Sequence, residues 1–259
     1  MTAARHGMEM RDGALPPDEI CHANVAVAQA PGAGVRAVSA IDPKISRVVL
    51  FDFDGVLIHG DAFGLFIRDR YKRSLLRKLL VLPTAPWLLL GLLLSWRLPV
   101  RTLVHVNLLG VNARRYEADA RAFAAQLVRR PRLFSRDALL ALRRHQAAGD
   151  RVIVVTGCES TLVGSILDEL GLIGVEVFAS QLRPSWLGMR VAHHNIGKRK
   201  LQALADHGIH AWRLAYSDSS QDIPMLKPAA EAVLVNGTPK LCMTIEKALG
   251  RSITRVDWF

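Results

Sequence analysis

The chain contains five short, almost continuous runs of apolar residues that alternate with segments of helical periodicity. The apolar runs cover residues 47–53, 151–156, 175–180, 212–216 and 232–235. The helical patterns cover residues 160–170, 198–207 and 239–249. Strands that are apolar on both faces are typical of parallel sheets covered by helices. The pattern therefore predicts an α/β fold with a doubly wound, mostly parallel sheet and a functional site at the carboxyl ends of its strands.

One long interval, residues 60–149, breaks this alternation because it contains helical segments and no convincing strand. The helical segments cover residues 63–80, 87–96, 114–130 and 136–148. We therefore predict a helical cap inserted after the first strand, and a catalytic core built from residues 46–59 and 150–259. Residues 1–45 are rich in Ala, Gly and Pro, carry no secretory signal pattern, and are predicted to be a disordered tail.

The 259-residue chain is strongly basic, with a formal net charge of +11 and a sequence pI of about 10.2. This charge favours an anionic partner, and acidic lipid, nucleic acid and phosphorylated metabolites all meet that criterion. We expect no nucleic-acid partner, because the chain has no recognition-helix, zinc-finger or aromatic RNA-binding motif. Three widely spaced cysteines form no disulfide framework or zinc pattern and suit a reducing compartment.

Two segments at the ends of predicted strands carry residue types suited to phosphoryl transfer. Asp52 and Asp54 stand two positions apart on an extended segment, so their carboxylates project from the same side. Such a pair can divide the roles of nucleophile and proton donor and can attract a divalent cation. Thr156 and Gly157 bring a hydroxyl and free backbone amides to another strand end, where they can cradle a phosphate.

Two further segments add a cation and a second acidic pair. Lys198 opens a predicted helix, where its charge can neutralise a phosphate, and Lys200 is an alternative for the same role. Asp218 and Asp222 stand four positions apart where a strand runs into a helical turn, and they can hold Mg²⁺ directly and through its water shell. Each of these four signals is weak alone, because strand–turn–helix joints and acidic loops are common.

Taken in order, the four segments resemble the four motifs of the haloacid dehalogenase superfamily, and the helical insertion resembles the type-1 cap of its phosphoserine-phosphatase branch, subfamily IB. The resemblance implies a Rossmann-like core and a phosphatase. It implies that Asp52 forms an aspartyl phosphate and that Asp54 acts as general acid and then as general base. It further implies that Thr156 and Gly157 hold phosphate oxygens, while Lys198 stabilises the added charge.

The same resemblance implies a Mg²⁺ cofactor. Its ligands would be Asp52, the carbonyl of Asp54, and Asp218, with Asp222 in support through a water or Lys198. Gln221 stands where many relatives carry Asn, which is a mild departure from the family pattern. Because all the acids are present, a degenerate, inactive member of the superfamily is disfavoured.

Within the cap, residues 79–96 contain no charged side chain, have basic residues on both flanks, and end in Trp96. The length and composition approach those of a membrane segment. A single crossing, however, would separate Asp52 from Thr156 and Asp218, which must meet on one side. We therefore predict a re-entrant or in-plane element that lays the cap on the bilayer. The alternative is a cap segment buried within the protein or in a dimer.

Residues 61–66, 179–181 and 216–226 resemble the phosphatidylglycerophosphatase C family. This resemblance implies dephosphorylation of phosphatidylglycerophosphate, an anionic phospholipid, at the cytoplasmic face of a bacterial inner membrane. The alternative is a soluble phosphatase of the same superfamily that acts on phosphoserine or another small phosphomonoester. The sequence does not decide the oligomeric state.

Overall fold

The computed structural model describes residues 47–84, 86–87, 89 and 97–259. The predicted tail and most of residues 85–96 lie outside the described residues. The strands are β1 Val48–Phe51, β2 Arg151–Glu159, β3 Glu176–Ser185, β4 Gly188–His193, β5 Trp212–Ser217, β6 Ala229–Val235 and β7 Thr254–Val256. The helices are α1 Ala62–Lys72, α2 Leu75–Val81, α3 Arg97–Leu108, α4 Ala113–Val128, α5 Arg136–Ala147, α6 Ser160–Glu169, α7 Lys198–Asp206, α8 Ile223–Leu226 and α9 Pro239–Leu249.

The seven strands form one sheet in the order β4-β3-β2-β1-β5-β6-β7. All neighbouring pairs are parallel except β3 and β4, which form an antiparallel hairpin. β1 lies at the centre, where Val49 pairs with Val152 of β2 on one side and with Leu214 of β5 on the other. The predicted fold class, a doubly wound and mostly parallel sheet with helices, is confirmed.

Helices cover both faces of this sheet, and the alternation of side chains along β1 divides the core between them. Val49 and Phe51 belong to one buried cluster, which they share with residues of α1, α4, α5 and α6. Val48 and Leu50 belong to the other cluster, which they share with residues of α7, α8 and α9. Burial on both faces is the reason why β1 reads as a continuous apolar run.

The described part of the insertion between β1 and β2 is helical, as predicted, but its helices are divided differently. The pattern over residues 63–80 is interrupted after Lys72, and Ser74 caps α2 by accepting a hydrogen bond from the Arg77 amide at 3.4 Å. α3 was not predicted; its Pro99 lies in the first turn, where a proline removes no intrahelical hydrogen bond. Among the described residues, no helix is both long enough and apolar enough to cross a membrane.

Two helices of the insertion pack on the core. α4 lies against α6, and α5 lies against β2. The α5 residues Ala138 and Leu142 are fully buried in the same cluster as Phe51. Residues upstream of position 150 therefore contribute to the core that covers the sheet.

The β3–β4 hairpin extends the sheet toward the insertion. Gly110, just after α3, donates its amide to the Leu187 carbonyl at 2.8 Å. Gly188 has a φ of +130°, and a Cβ there would lie 2.2 Å from the Leu108 carbonyl oxygen. Only glycine allows this close approach between the hairpin tip and the end of α3.

Candidate active site

The site begins at the carboxyl end of the central strand. Asp52 is the first residue after β1, and its amide donates a hydrogen bond to the Tyr216 carbonyl of β5 at 3.0 Å. The Phe53 amide donates to Asp52 Oδ1 at 2.7 Å. The first bond fixes the backbone of Asp52 and the second orients its carboxylate. Asp52 is buried, with 7% of the residue exposed.

Asp54 follows on the same loop and has a different environment. Its Oδ1 accepts a hydrogen bond from the Ala62 amide at 2.8 Å, in the first turn of α1, and its Oδ2 lies 3.5 Å from the Thr156 hydroxyl. Burial raises the pKa of Asp54 to about 7, against the lowering effect of the Ala62 amide. A carboxyl group with a pKa in this range can both donate and accept a proton near neutral pH.

Lys200, and not Lys198, is the lysine of the site. Lys200 Nζ lies 2.9 Å from Asp52 Oδ1 and 2.8 Å from Asp222 Oδ1, and its side chain is only 3% exposed. Lys198 is the first residue of α7 and is exposed. The prediction of Lys198 is therefore wrong in position, because residues two apart on a helix point in nearly opposite directions.

Two buried carboxylates share this one ammonium group. Burial lowers the pKa of Lys200, but the attraction of Asp52 and Asp222 outweighs it and raises the pKa overall. The pKa of Asp222 is lowered overall: burial alone would raise it, but the charge of Lys200 outweighs that effect. The Ser217 hydroxyl lowers it further by donating a hydrogen bond to Asp222 Oδ2 at 2.8 Å. Burial keeps the pKa of Asp52 well above its usual value, although Lys200 opposes this. The cluster thus has one cationic group for two buried carboxyl groups, and further positive charge would stabilise it.

Thr156 and Gly157 lie at the end of β2, beside the first loop. Thr156 is fully buried, and its Oγ1 accepts a hydrogen bond from the Cys158 amide at 3.0 Å. Gly157 lines the cavity, and a Cβ there would lie 2.8 Å from Ile196 Cγ2. Cys158 is buried next to them, and burial raises the pKa of its thiol well above the usual value, which disfavours the nucleophilic thiolate.

Asn195 and Ser180 support the site and were not singled out as functional residues in the sequence. The Asn195 side-chain amide donates to the carbonyls of Phe178 at 2.8 Å and Thr156 at 3.3 Å. Ser180 donates to the Gly157 carbonyl at 2.6 Å and accepts from the Asn195 amide at 2.9 Å. These bonds tie the loop before α7 to β2 and β3, so they help to place Lys200. Their only sequence signal is the presence of Ser180 in segment 179–181.

Asp218 completes the acidic set through a close backbone approach. Gly55 has a φ of +78°, and a Cβ there would lie 1.9 Å from Asp218 Oδ2. Glycine is therefore required for the loop after β1 to lie against the loop after β5. Burial raises the pKa of Asp218, with a smaller contribution from Asp222.

The four predicted acids, Gly157 and Lys200 border a cavity of about 370 Å³. It is lined by Asp52, Asp54, Gly55, Gly60, Asp61, Gly157, Ile196, Gly197, Lys200, Asp218, Ser219, Gln221 and Asp222. The structure thus brings all the predicted acids together with Gly157, while Lys198 stays outside.

The donors suit a hard divalent cation. Within the described ranges of the chain, no three His, Cys, Asp or Glu side chains are grouped closely enough to hold a metal by themselves. Mg²⁺ does not require such a cage, because it usually keeps several waters and binds one or two carboxylates. Asp52 and Asp218 supply two carboxylates, the Asp54 carbonyl is a third oxygen, and the deficit of positive charge favours a cation. The residues therefore fit Mg²⁺.

Comparison with known proteins agrees with this architecture. A protein of unknown function from Bordetella pertussis Tohama I shares the fold with a TM-score of 0.61 and 20% sequence identity, over 81% of this chain and 98% of that one. A phosphoserine phosphohydrolase-like protein from Francisella tularensis subsp. tularensis SCHU S4 matches with a TM-score of 0.52 and 17% identity, over 81% of this chain and 94% of that one. A phosphoserine phosphatase in apo form matches with a TM-score of 0.51 and 18% identity, over 82% of this chain and 95% of that one. At these identities the likeness concerns the fold alone. The sequence profile of haloacid dehalogenase-like hydrolases matches residues 49–227, which is more than half of the chain. The chain therefore belongs to the haloacid dehalogenase-like hydrolases, and the prediction that it is a phosphatase of this superfamily is confirmed.

Proposed function

We propose that the protein hydrolyses the terminal phosphomonoester of phosphatidylglycerophosphate through an aspartyl phosphate on Asp52, with Mg²⁺ as cofactor. The observation that carries the chemistry is the buried contact of Lys200 with Asp52 and Asp222 beside a cavity large enough for a phosphate. The lysine holds the Asp52 carboxylate in place and offsets the charge that accumulates when a phosphate approaches it.

The reaction has two steps. In the first, an Asp52 oxygen forms a bond to phosphorus while the bond from phosphorus to the leaving oxygen breaks, and Asp54 donates its proton to that oxygen. In the second, Asp54 takes a proton from water, the water oxygen forms a bond to phosphorus, and the bond to Asp52 breaks, which releases inorganic phosphate. Bound Mg²⁺ would offset the negative charge of the phosphoryl oxygens. The raised pKa of Asp54, about 7, supports both of its roles.

The Thr156 hydroxyl and the Gly157 amide would orient the phosphoryl oxygens. Thr156 is held by burial and by its hydrogen bond from the Cys158 amide. Its side chain therefore loses no conformational freedom when the substrate binds. Glycine is needed at position 157 because the Cβ of any other residue would come too close to the Ile196 side chain at the cavity wall.

The lipid substrate is supported by the exposed apolar side chains of the cap. Leu75, Leu76 and Leu79 on α2 are 76%, 67% and 61% exposed, and Leu82 and Trp87 nearby are also exposed. A contiguous row of exposed leucines is unusual for a surface that meets only water. Together with the net charge of +11, it suits a protein whose cap rests on an anionic bilayer. In this proposal the protein works at the cytoplasmic face of a bacterial inner membrane.

The alternative is a soluble phosphatase acting on phosphoserine. The fold likeness to a phosphoserine phosphatase favours this alternative. It requires that the exposed leucines be covered by a second copy of the chain or by another protein, and not by lipid.

Release of inorganic phosphate tests both the chemistry and the substrate. Purified protein with Mg²⁺ is given either phosphatidylglycerophosphate in mixed micelles or phosphoserine, and Asp52→Asn is compared with Asp168→Asn, which removes an exposed acid outside the site. We expect strong preference for the lipid, complete loss of release in Asp52→Asn, loss on chelation of Mg²⁺, and normal release in Asp168→Asn. Turnover of phosphoserine with no turnover of the lipid would reject the substrate proposal, and activity in Asp52→Asn would reject the mechanism.

A further inference from the structure

A second cavity of about 330 Å³ lies in the cap, between α1, the start of α2 and α4. It is lined by Phe66, Asp69, Arg70, Arg73, Ser74, Arg77, Arg115, Asp119, Ala122, Phe123 and Gln126. Four of these residues are arginines and two are aspartates, so the lining carries an excess of two positive charges. None of them lines the active-site cavity.

Arg70 is the most unusual of the four arginines because it is buried, with a side chain only 6% exposed. One of its terminal nitrogens, Nη1, pairs with Asp119. Its Nε and Nη2 are buried and have no hydrogen-bond partner among the described residues. Buried guanidinium donors without partners are costly, and in native proteins they usually face a ligand, an ion or ordered water.

The remaining charges of the lining are unevenly matched. Arg73 is paired with Asp69 at 2.8 Å and donates to Gln126 at 2.7 Å. Because Asp119 is taken by Arg70, no carboxylate of the lining is left to pair with Arg77 or Arg115. Burial lowers the pKa of Arg77, and repulsion from Arg70 and Arg115 lowers it further. The cavity is therefore a local concentration of positive potential that an anion would relieve.

The cavity is also too far from the active site to hold the scissile phosphate. Asp61 caps α1 and lines the active-site cavity, whereas Arg70 lies nine residues further along. At the rise of an α-helix, this corresponds to about 13 Å. An anion in the cap would therefore be a second ligand, and it would lie beside the exposed leucines of α2.

We propose that this cap cavity is a second anion site, in which Arg70, Arg77 and Arg115 bind a tetrahedral phosphate group. Arginine's planar set of donors suits phosphate oxygens, and the two unpartnered nitrogens of Arg70 would supply two of the hydrogen bonds. The phosphate could come from free phosphate or from the head group of an anionic phospholipid. The proposal does not depend on the identity of the substrate.

The test removes the two lining charges that pair with neither aspartate of the lining. Arg77→Gln/Arg115→Gln is compared with Arg114→Gln/Arg129→Gln, which removes two exposed arginines outside the lining and so changes the net charge equally. Hydrolysis of p-nitrophenyl phosphate should be the same in both variants and in the unchanged protein, which separates this test from that of the catalytic mechanism.

Two probes distinguish the sources of the anion. Calorimetric titration with inorganic phosphate should give two binding sites in the unchanged protein and the control variant, but one in the cavity variant, if the cavity takes free phosphate. Co-sedimentation with phosphatidylglycerol vesicles should be at least about tenfold weaker in the cavity variant than in the control, if it takes a lipid head group. Weaker binding of phosphate or of vesicles by the cavity variant, but not by the control variant, supports the site. Equal behaviour of the two variants with both probes would overturn it.

Discussion

At the scale of single residues, Lys200 lies between two buried carboxylates, 2.9 Å from Asp52 and 2.8 Å from Asp222. Lys200→Met should lower kcat for p-nitrophenyl phosphate at least about 100-fold, because one preorganised charge at a reacting group contributes on this order. It should also lower the free energy of unfolding by about 3–5 kcal/mol, because both carboxylates remain buried without their partner. Steady-state kinetics and urea unfolding measure these effects.

The matched control is Lys198→Met, which removes the exposed lysine at the start of the same helix. We expect its kcat and stability to stay close to those of the unchanged protein. A folded Lys200→Met variant with normal kcat, or a large loss of kcat in Lys198→Met, would contradict the assignment.

Gly55 gives a second prediction at this scale. Gly55→Ala should lower activity at least about tenfold, because its Cβ would lie 1.9 Å from Asp218 Oδ2 and would displace that carboxylate from the loop after β1. Gly60→Ala is the control: its φ of +102° imposes backbone strain as well, but no atom lies within 4 Å of its Cβ position. The apparent affinity for Mg²⁺, measured calorimetrically, should fall in Gly55→Ala only. Equal effects of the two changes would indicate strain, and not contact with Asp218.

The choice between Lys198 and Lys200 shows where sequence reasoning about the site stops. Each acid could be placed from its position after an apolar run, because a strand end fixes where the next side chain lies. The lysine lies in a helix, where each residue turns by about 100°, and Lys-Arg-Lys offers two candidates on nearly opposite sides. An uncertainty of one or two residues in the helix start leaves this choice open.

At the scale of elements, Tyr116 connects helix α4 of the insertion to the start of α6. Its hydroxyl donates to Glu159 Oε2 at 2.6 Å, and Glu159 also accepts from the Leu162 amide at 3.0 Å as the N-cap of α6. Burial and the Glu159 carboxylate raise the pKa of Tyr116, so its hydroxyl stays a donor. Tyr116→Phe should therefore lower the free energy of unfolding by about 1.5–3 kcal/mol, the range for a bond to a charged group.

Ser160→Ala is the control for this prediction, because it removes a longer, 3.2 Å, bond to the same carboxylate from a partly exposed hydroxyl. Its effect should be smaller than that of Tyr116→Phe. Denaturant unfolding monitored by circular dichroism compares the two. A larger decrease in the free energy of unfolding in Ser160→Ala than in Tyr116→Phe would show that the hydrogen bond between α4 and Glu159 contributes little to stability.

The elements that the sequence analysis missed are stabilised mainly by their neighbours. β4 and β7 are short edge strands, six and three residues long, and neither contains a continuous apolar run like those of the central strands. They exist because β3 and β6 offer them hydrogen-bonding edges. α3 was hidden by its proline, whereas the central strands were predictable because burial on both faces imposes continuous apolar runs.

At the scale of the whole molecule, the acidic active site contrasts with a chain whose net charge is +11. The positive charge is partly concentrated in the cap, where four arginines line one cavity and exposed leucines lie on the next helix. Apolar side chains that insert and arginines that attract anionic head groups are complementary contributions to binding at a bilayer surface. The cap and the core thus differ in the surface they present, although α4 and α5 connect them through shared packing.

Vesicle flotation tests whether the leucines of α2 contact lipid. Leu75→Ser/Leu79→Ser removes two exposed apolar side chains and should lower the bound fraction on phosphatidylglycerol vesicles at least about tenfold, because each leucine contributes roughly 1–2 kcal/mol when it enters an apolar phase. Ile173→Ser/Met243→Ser removes two side chains that are 85% and 59% exposed elsewhere, and it should leave binding unchanged. Turnover of p-nitrophenyl phosphate should be equal in all three proteins. If the α2 variant still floats with the vesicles, the leucines serve another purpose, and a change from dimer to monomer in sedimentation velocity would identify it as self-association.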